Sequence, residues 1–203
     1  MITYSEKIQE RIDGFNSDKV FIANDFFDIA SYETVRKTLN RMTGDGKIQK
    51  ILKGLYYQPV YSHLIEEHEA PSMHQVALAL ARKYNWTIAP SGNTALNMLG
   101  LSTQVTAQWT YISSGRHVKH TLGKSTLKFR QVKNSEISNM AIETAMVIQA
   151  IKAIGREKIT EEQMTIIRRK LTSGQKKRLL EESKYSAQWI YQVIRAICEE
   201  ADE

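Results

Sequence analysis

Apolar residues Val35, Leu39 and Met42 recur four and three positions apart, which marks one face of a helix over residues 31–42. The Gly44-Asp45-Gly46 turn signal stops that helix. Residues 47–52 alternate like a half-buried strand, Lys53-Gly54 turns the chain, and Leu55-Tyr56-Tyr57 returns before Pro59. Upstream, residues 7–12 read as a short helix ending near Gly14. Phe21-Ile22-Ala23 is a brief apolar stretch, after which Asn24 or Asp25 caps another short helix.

Helix, helix, helix and β-hairpin, all before Pro59, is the element order of a winged helix-turn-helix. The acidic stretch 61–70, closed by Pro71, reads as a linker between domains over 1–60 and 71–203. The second domain opens on a helix whose apolar positions are Met73, Val76, Ala77, Leu80, Ala81 and Tyr84. Residues 86–89 read as a short strand, and Ser91 or Asn93 as the cap of a short helix that stops at Gly100. Strands are expected over 105–112, 118–122 and 125–131, with turns at Ser114-Gly115 and Gly123-Lys124. After Asn134 the pattern is helical to the end, with Ile137, Met140, Ala141, Val147, Ile148, Ile151 and Ile154 on one long face. The expected fold class is α+β: a winged helix-turn-helix, then a larger mixed domain with a small sheet and C-terminal helices.

At 203 residues and 42% hydrophobic, the chain is long enough for one large or two small cores. No stretch approaches the roughly 18 apolar residues of a membrane span, so no membrane partner is expected. The N-terminus lacks a basic region followed by an apolar run, and the single cysteine, Cys198, rules out an intrachain disulfide. A cytoplasmic location is expected. The net charge of +6 is unevenly spread. Residues 1–35 carry 3 basic and 7 acidic side chains, whereas 36–53 carry 6 basic residues against Asp45 alone. Residues 116–133 carry 6 basic residues and no acid. Two concentrated positive blocks are what a polyanion-binding surface needs.

The first block points to double-stranded DNA. With Val35, Leu39 and Met42 turned inward, Tyr32, Arg36, Lys37, Asn40 and Arg41 are left on the outer faces. Arginine reads guanine bidentately, asparagine reads adenine, and lysine or tyrosine holds phosphate. Lys50 and Lys53 fall where a wing meets the DNA backbone. A solvated amphipathic helix has the same spacing, but the basic hairpin after it and the acidic helix before it favour DNA. The second block makes Arg116, Lys119, Lys124, Lys128 and Arg130 a further basic surface, with Leu127 and Phe129 on the opposite face of their strand. Edge lysines that discourage aggregation account for that pattern equally well.

Catalytic candidates are thin. Pro90-Ser91-Gly92-Asn93-Thr94 offers a serine with no base or acid at a marking distance, and no phosphate-loop or dinucleotide fingerprint occurs. Residues 71–135 contain no carboxylate, and Glu136 and Glu143, seven apart on one helical face, are the nearest pair for magnesium chemistry. His63, His68, His74, His117 and His120 are scattered, and a strand would put His117 and His120 on opposite faces. No metal, no cofactor and no enzymatic activity are expected.

Two stretches carry a resemblance. The first is 35–42 (Val-Arg-Lys-Thr-Leu-Asn-Arg-Met), followed by Gly46-Lys47-Ile48 and Lys53-Gly54-Leu55-Tyr56-Tyr57-Gln58-Pro59. The second is 88–101, with Ala95-Leu96, Leu99-Gly100-Leu101 and then Thr103-Gln104. Together they resemble the AbiEi-type antitoxins over nearly the whole chain. The resemblance implies an antitoxin encoded beside a nucleotidyltransferase-like toxin. It also implies that the winged helix represses the operon's own promoter at inverted repeats and that the second domain carries the antitoxin activity. The competing reading is an antitoxin or regulator that docks a protein partner directly through its C-terminal domain.

Overall fold

A computed structural model describes residues 2–62, 66–104 and 106–199. The chain is α+β and divides into two compact units, Met1–Trp86 and Thr87–Glu203.

The first unit opens with helix α1 (Tyr4–Asp13), whose start is fixed reciprocally. Thr3 Oγ1 accepts from the Glu6 amide at 3.2 Å, and Glu6 Oε2 accepts from the Thr3 amide at 2.6 Å. Strand β1 (Val20–Phe21) leads into a 3-10 turn, Ala23–Phe26, and then helix α2 (Tyr32–Gly44). Asp25 lies inside the 3-10 turn, its carboxylate accepting from the Ile22 amide at 2.9 Å. The cap is therefore Ile22 and not the expected Asn24 or Asp25. Strands β2 (Gln49–Leu52) and β3 (Leu55–Tyr57) form the hairpin, and β3 pairs antiparallel with both β1 and β2.

The core of this unit fills the space between the helices and that sheet. Ile8, Ile12, Val35 and Leu39 are fully buried around Phe21, which meets Phe26 edge-on at 5.8 Å and stacks on Tyr56 at 6.3 Å.

Residues expected to form a bare linker include a second antiparallel pair, β4 (Val60–Ser62) with β5 (Glu67–Glu69). Helix α3 (Met73–Tyr84) follows, and here the domain boundary differs from expectation. The α3 helix belongs to the first unit, because Arg82 donates to the Val20 carbonyl at 2.7 Å and faces Asp25 at 3.4 Å. Lys83 Nζ donates to the Lys53 carbonyl. Two cations at the end of the helix thus tie it to β1 and to the hairpin.

The second unit contains β6 (Ile88–Pro90), the short helix α4 (Asn93–Met98), β7 (Gln108–Ser113), β8 (Val118–Leu122) and β9 (Ser125–Gln131). Their order is β6-β7-β9-β8, with β7 and β9 parallel and the other pairs antiparallel. The expected strand start at Val105 lies outside the described residues.

Helices α5 (Ile142–Ile154), α6 (Glu161–Lys170), α7 (Ser173–Glu182) and α8 (Gln188–Cys198) complete the unit around Val147, Ile151, Ile167, Leu179, Ile190 and Ile194. The long face expected from Ile137 is interrupted. Asn134–Glu136 is a separate 3-10 turn, and α5 begins only after Ala141, whose amide is taken by Glu182 Oε2 at 2.8 Å. Glu136 and Glu143 therefore do not share a helical face. Ile137 is buried, but against Ala89, Ile112 and Ala145 from outside the helix.

Candidate nucleic-acid interface

Helix α2 presents two populations of polar side chains. At about 100° per residue, Tyr32, Arg36 and Asn40 run along one edge of the exposed face, Lys37 and Arg41 along the other. Val35, Thr38, Leu39 and Met42 are buried beneath. Glu33 lies between the two edges, 4.0 Å from Arg36 and 3.9 Å from Lys37. Such exposed pairs are worth little and yield readily to a stronger anion.

Tyr56 gathers one edge together. Its ring is buried against Phe21, and its hydroxyl donates to Asn40 Oδ1 at 3.4 Å. Burial holds the Tyr56 phenol above its usual pKa; Tyr32 pushes the same way and Arg36 opposes. Tyr32, Arg36, Asn40 and Tyr56 thus form one neighbourhood at the junction of α2 and β3. Tyr32 is 57% exposed and meets Phe27 edge-on at 6.1 Å. Arg41 is different: its guanidinium donates to Ser5 Oγ of α1 at 2.7 Å. The structure therefore separates Arg41 from Tyr32, Arg36 and Asn40.

Lys50 and Lys53 are both exposed on the hairpin. Leu52 pairs with Leu55, so Lys53-Gly54 is the tip, and Gly54 adopts a φ of +77° that an L side chain resists. A Cβ at Gly54 would stand 3.3 Å from Lys83 Nζ. Lys83 is thus a third cation at the hairpin tip, and sequence analysis missed it because α3 was assigned to the second domain. An Arg-Lys pair in the last turn of a helix was the visible signal, though it also suits the helix dipole.

The second basic block lies in the other unit. Leu127 and Phe129 are fully buried on one face of β9, and Lys128 and Arg130 are exposed on the other, as the alternation predicts. Lys119 of β8 stands directly opposite Lys128. Arg116 is exposed in the β7–β8 connection and Lys124 in the β8–β9 turn. None of these five cations forms an ion pair among the described residues.

Residues 7–179 match a family of unknown function (DUF6088). The chain belongs to that family. No curated protein matches it. The matched span runs through both units of this DUF6088 chain and covers both basic blocks. The family description assigns no activity, so function rests on the residues themselves.

No group of three or more possible metal ligands occurs among the described residues, and His63 lies outside them. His120 meets Phe129 edge-on on the core side of the sheet, while His117 Nδ1 accepts from the Gln131 amide. Cys198 packs beside the Lys176 carbonyl, and burial raises its thiol pKa. Ser91 and Asn93 do not cap α4: the cap position is Gly92, and Ser91 Oγ donates instead to the Thr110 carbonyl at 3.3 Å. Among the described residues no helix is long and apolar enough to cross a membrane.

Proposed function

We propose that this protein is a DNA-binding antitoxin and autorepressor whose first unit is a winged helix-turn-helix. Helix α2 reads the major groove, and the β2–β3 hairpin holds the adjacent backbone. The observation that carries the reading is the arrangement of α2 and its hairpin. Its apolar strip is buried, Tyr32, Arg36, Lys37 and Asn40 are exposed, and a short antiparallel hairpin bearing Lys50 and Lys53 follows directly. The order α1, β1, 3-10 turn, α2, β2, β3, with β3 central in the sheet, agrees with that architecture. In helix-turn-helix docking the reading helix meets base edges in the major groove, with Arg36 and Asn40 on bases and Tyr32, Lys37, Lys50 and Lys53 on phosphates. Arg41, engaged with Ser5, takes a positioning part.

The antitoxin part rests on the resemblance carried by Ala95-Leu96, Leu99-Gly100-Leu101 and Thr103-Gln104. The genetic partner is a nucleotidyltransferase-like toxin, the operator is an inverted repeat in the protein's own promoter, and the protein itself catalyses no reaction. The test is fluorescence anisotropy on DNA upstream of the gene against scrambled DNA, with an Arg36/Lys37/Arg41 triple-alanine variant beside the wild type. Equal affinity for both DNAs refutes operator reading. Growth rescue on co-expression with the neighbouring nucleotidyltransferase-like product tests the antitoxin assignment separately.

A further inference from the structure

The second unit holds a cavity of about 490 Å³ beside β7 and β9, bounded also by the turn before α4 and by α5. That volume lies within the roughly 300–1,000 Å³ of small-molecule sites, but the lining is unusually polar. Asn93, Gln108, Thr110, Arg130, Gln149 and Lys152 all face it, and no carboxylate lines it among the described residues.

Gln149 is the group that packing alone does not explain. It sits on α5, is 5% exposed, and its amide has no hydrogen-bond partner among the described residues. The amide is not sealed in the core but borders the cavity, where it is open to a ligand or to water as donor and acceptor. Arg130, on β9, likewise has no acid partner among the described residues, while Lys152 shares Glu136 at 3.5 Å. A guanidinium fork matches the oxygens of a phosphate, and an ammonium adds a second charge without fixed direction. Gly92, at φ +55°, makes the sharp bend that brings Asn93 to the rim.

We propose that this cavity binds a small phosphorylated molecule. Arg130 and Lys152 hold the phosphate, and Gln149, Asn93 and Gln108 hydrogen-bond the rest of the ligand. The positive charge of Lys119 and Lys128 continues on the open sheet, so a nucleic-acid phosphate is the competing occupant. The depth of Gln149 favours the small molecule, because an extended strand lying on the sheet meets Arg130 without reaching that amide. The inference is independent of DNA reading by the first unit, since every residue it uses belongs to the second.

The experiment is calorimetric titration of the full chain with inorganic phosphate, ribonucleoside 5′-monophosphates, the matching nucleosides, ribose 5-phosphate and glucose 6-phosphate. At least one phosphate ester should bind about tenfold more tightly than both inorganic phosphate and its unphosphorylated counterpart. Arg130→Ala should weaken it by about tenfold or more, and Gln149→Glu, which adds a negative charge inside the cavity, should abolish it. Lys177→Ala, exposed on α7, should leave it unchanged. Gln149→Met keeps the volume but loses the amide, and its unfolding temperature separates lost binding from lost folding. Three outcomes overturn the proposal: no phosphate ester binds, binding survives Arg130→Ala, or only a short single-stranded oligonucleotide binds in an Arg130-dependent way.

Discussion

Lys83 Nζ donates a hydrogen bond to the main-chain carbonyl of Lys53, so the last turn of α3 holds the tip of the β2–β3 hairpin. The contact also crowds the only face from which a side chain at Gly54 would project. Gly54→Ala should therefore destabilise the protein by about 1–2 kcal/mol from its left-handed backbone, and Lys83→Ala by about 0.5–1.5 kcal/mol from the lost hydrogen bond. Urea denaturation of the two variants checks both figures. A Gly54→Ala variant as stable as wild type contradicts the conformation described for the tip.

Arg36 and Arg41 should behave differently despite lying on the same helix. Arg36→Ala is expected to cost about 1–3 kcal/mol on operator DNA and little on random sequence. Arg41→Ala frees Ser5 and should reduce affinity for both DNAs alike. Anisotropy titrations on the two DNAs distinguish these patterns, and identical profiles for the two variants argue against the separation of the helix edges.

Tyr56→Phe keeps the ring stacked on Phe21 and removes only the hydroxyl that engages Asn40. Stability should fall by about 1 kcal/mol or less, while specificity at the position read by Asn40 should relax. Selection of preferred sequences from a randomised operator pool is the suitable measurement.

Binding should depend steeply on salt. Two protomers that each neutralise about three phosphates give a slope near −5 in log affinity against log salt. Lys50→Ala and Lys53→Ala should each make the slope shallower. A flat wild-type response is incompatible with phosphate contacts from the hairpin.

His74, in α3, has its pKa lowered by burial, with Asp18 opposing. Its folded-state value thus lies below the unfolded one, and the folded form prefers the neutral ring. The corresponding stability is present in full above the unfolded value of about 6.5 and is lost as pH falls through the folded value. His74→Gln should flatten the acid side of the stability profile. Thermal unfolding between neutral and mildly acidic pH measures it, and an unchanged profile removes His74 as the cause.

Local patterns were legible wherever one face of one element decided the outcome. Val35, Leu39 and Met42 placed α2, and the alternation through Leu127, Lys128, Phe129 and Arg130 assigned both faces of β9. The two sets of candidate cations could therefore be named from spacing alone. Features set by distant partners were not legible. Arg82 and Lys83 attach α3 to the first unit through carbonyls at Val20 and Lys53, which no periodicity encodes. The start of α5 depends on Glu182, and Ile137 falls at a helical spacing while sitting outside the helix. The polar cavity was invisible for the same reason. Asn93, Arg130 and Gln149 lie far apart in sequence, and only the sheet and α5 bring them to one space.

The β6-β7-β9-β8 order has a consequence for how the second unit assembles. β9 lies between β7 and β8, yet its chain neighbour β8 is the outer strand, joined to it by the tight Gly123-Lys124 turn. The β8–β9 ribbon can close locally in microseconds, whereas the parallel pairing of β7 with β9 must bridge the whole intervening segment. Early closure of the ribbon, followed by its docking as a finished piece along β7, avoids inserting a lone strand between two formed neighbours. Lys119 and Lys128 face each other within that ribbon, so added salt, by screening one from the other, should stabilise the closed ribbon and raise the share of it ready to dock along β7.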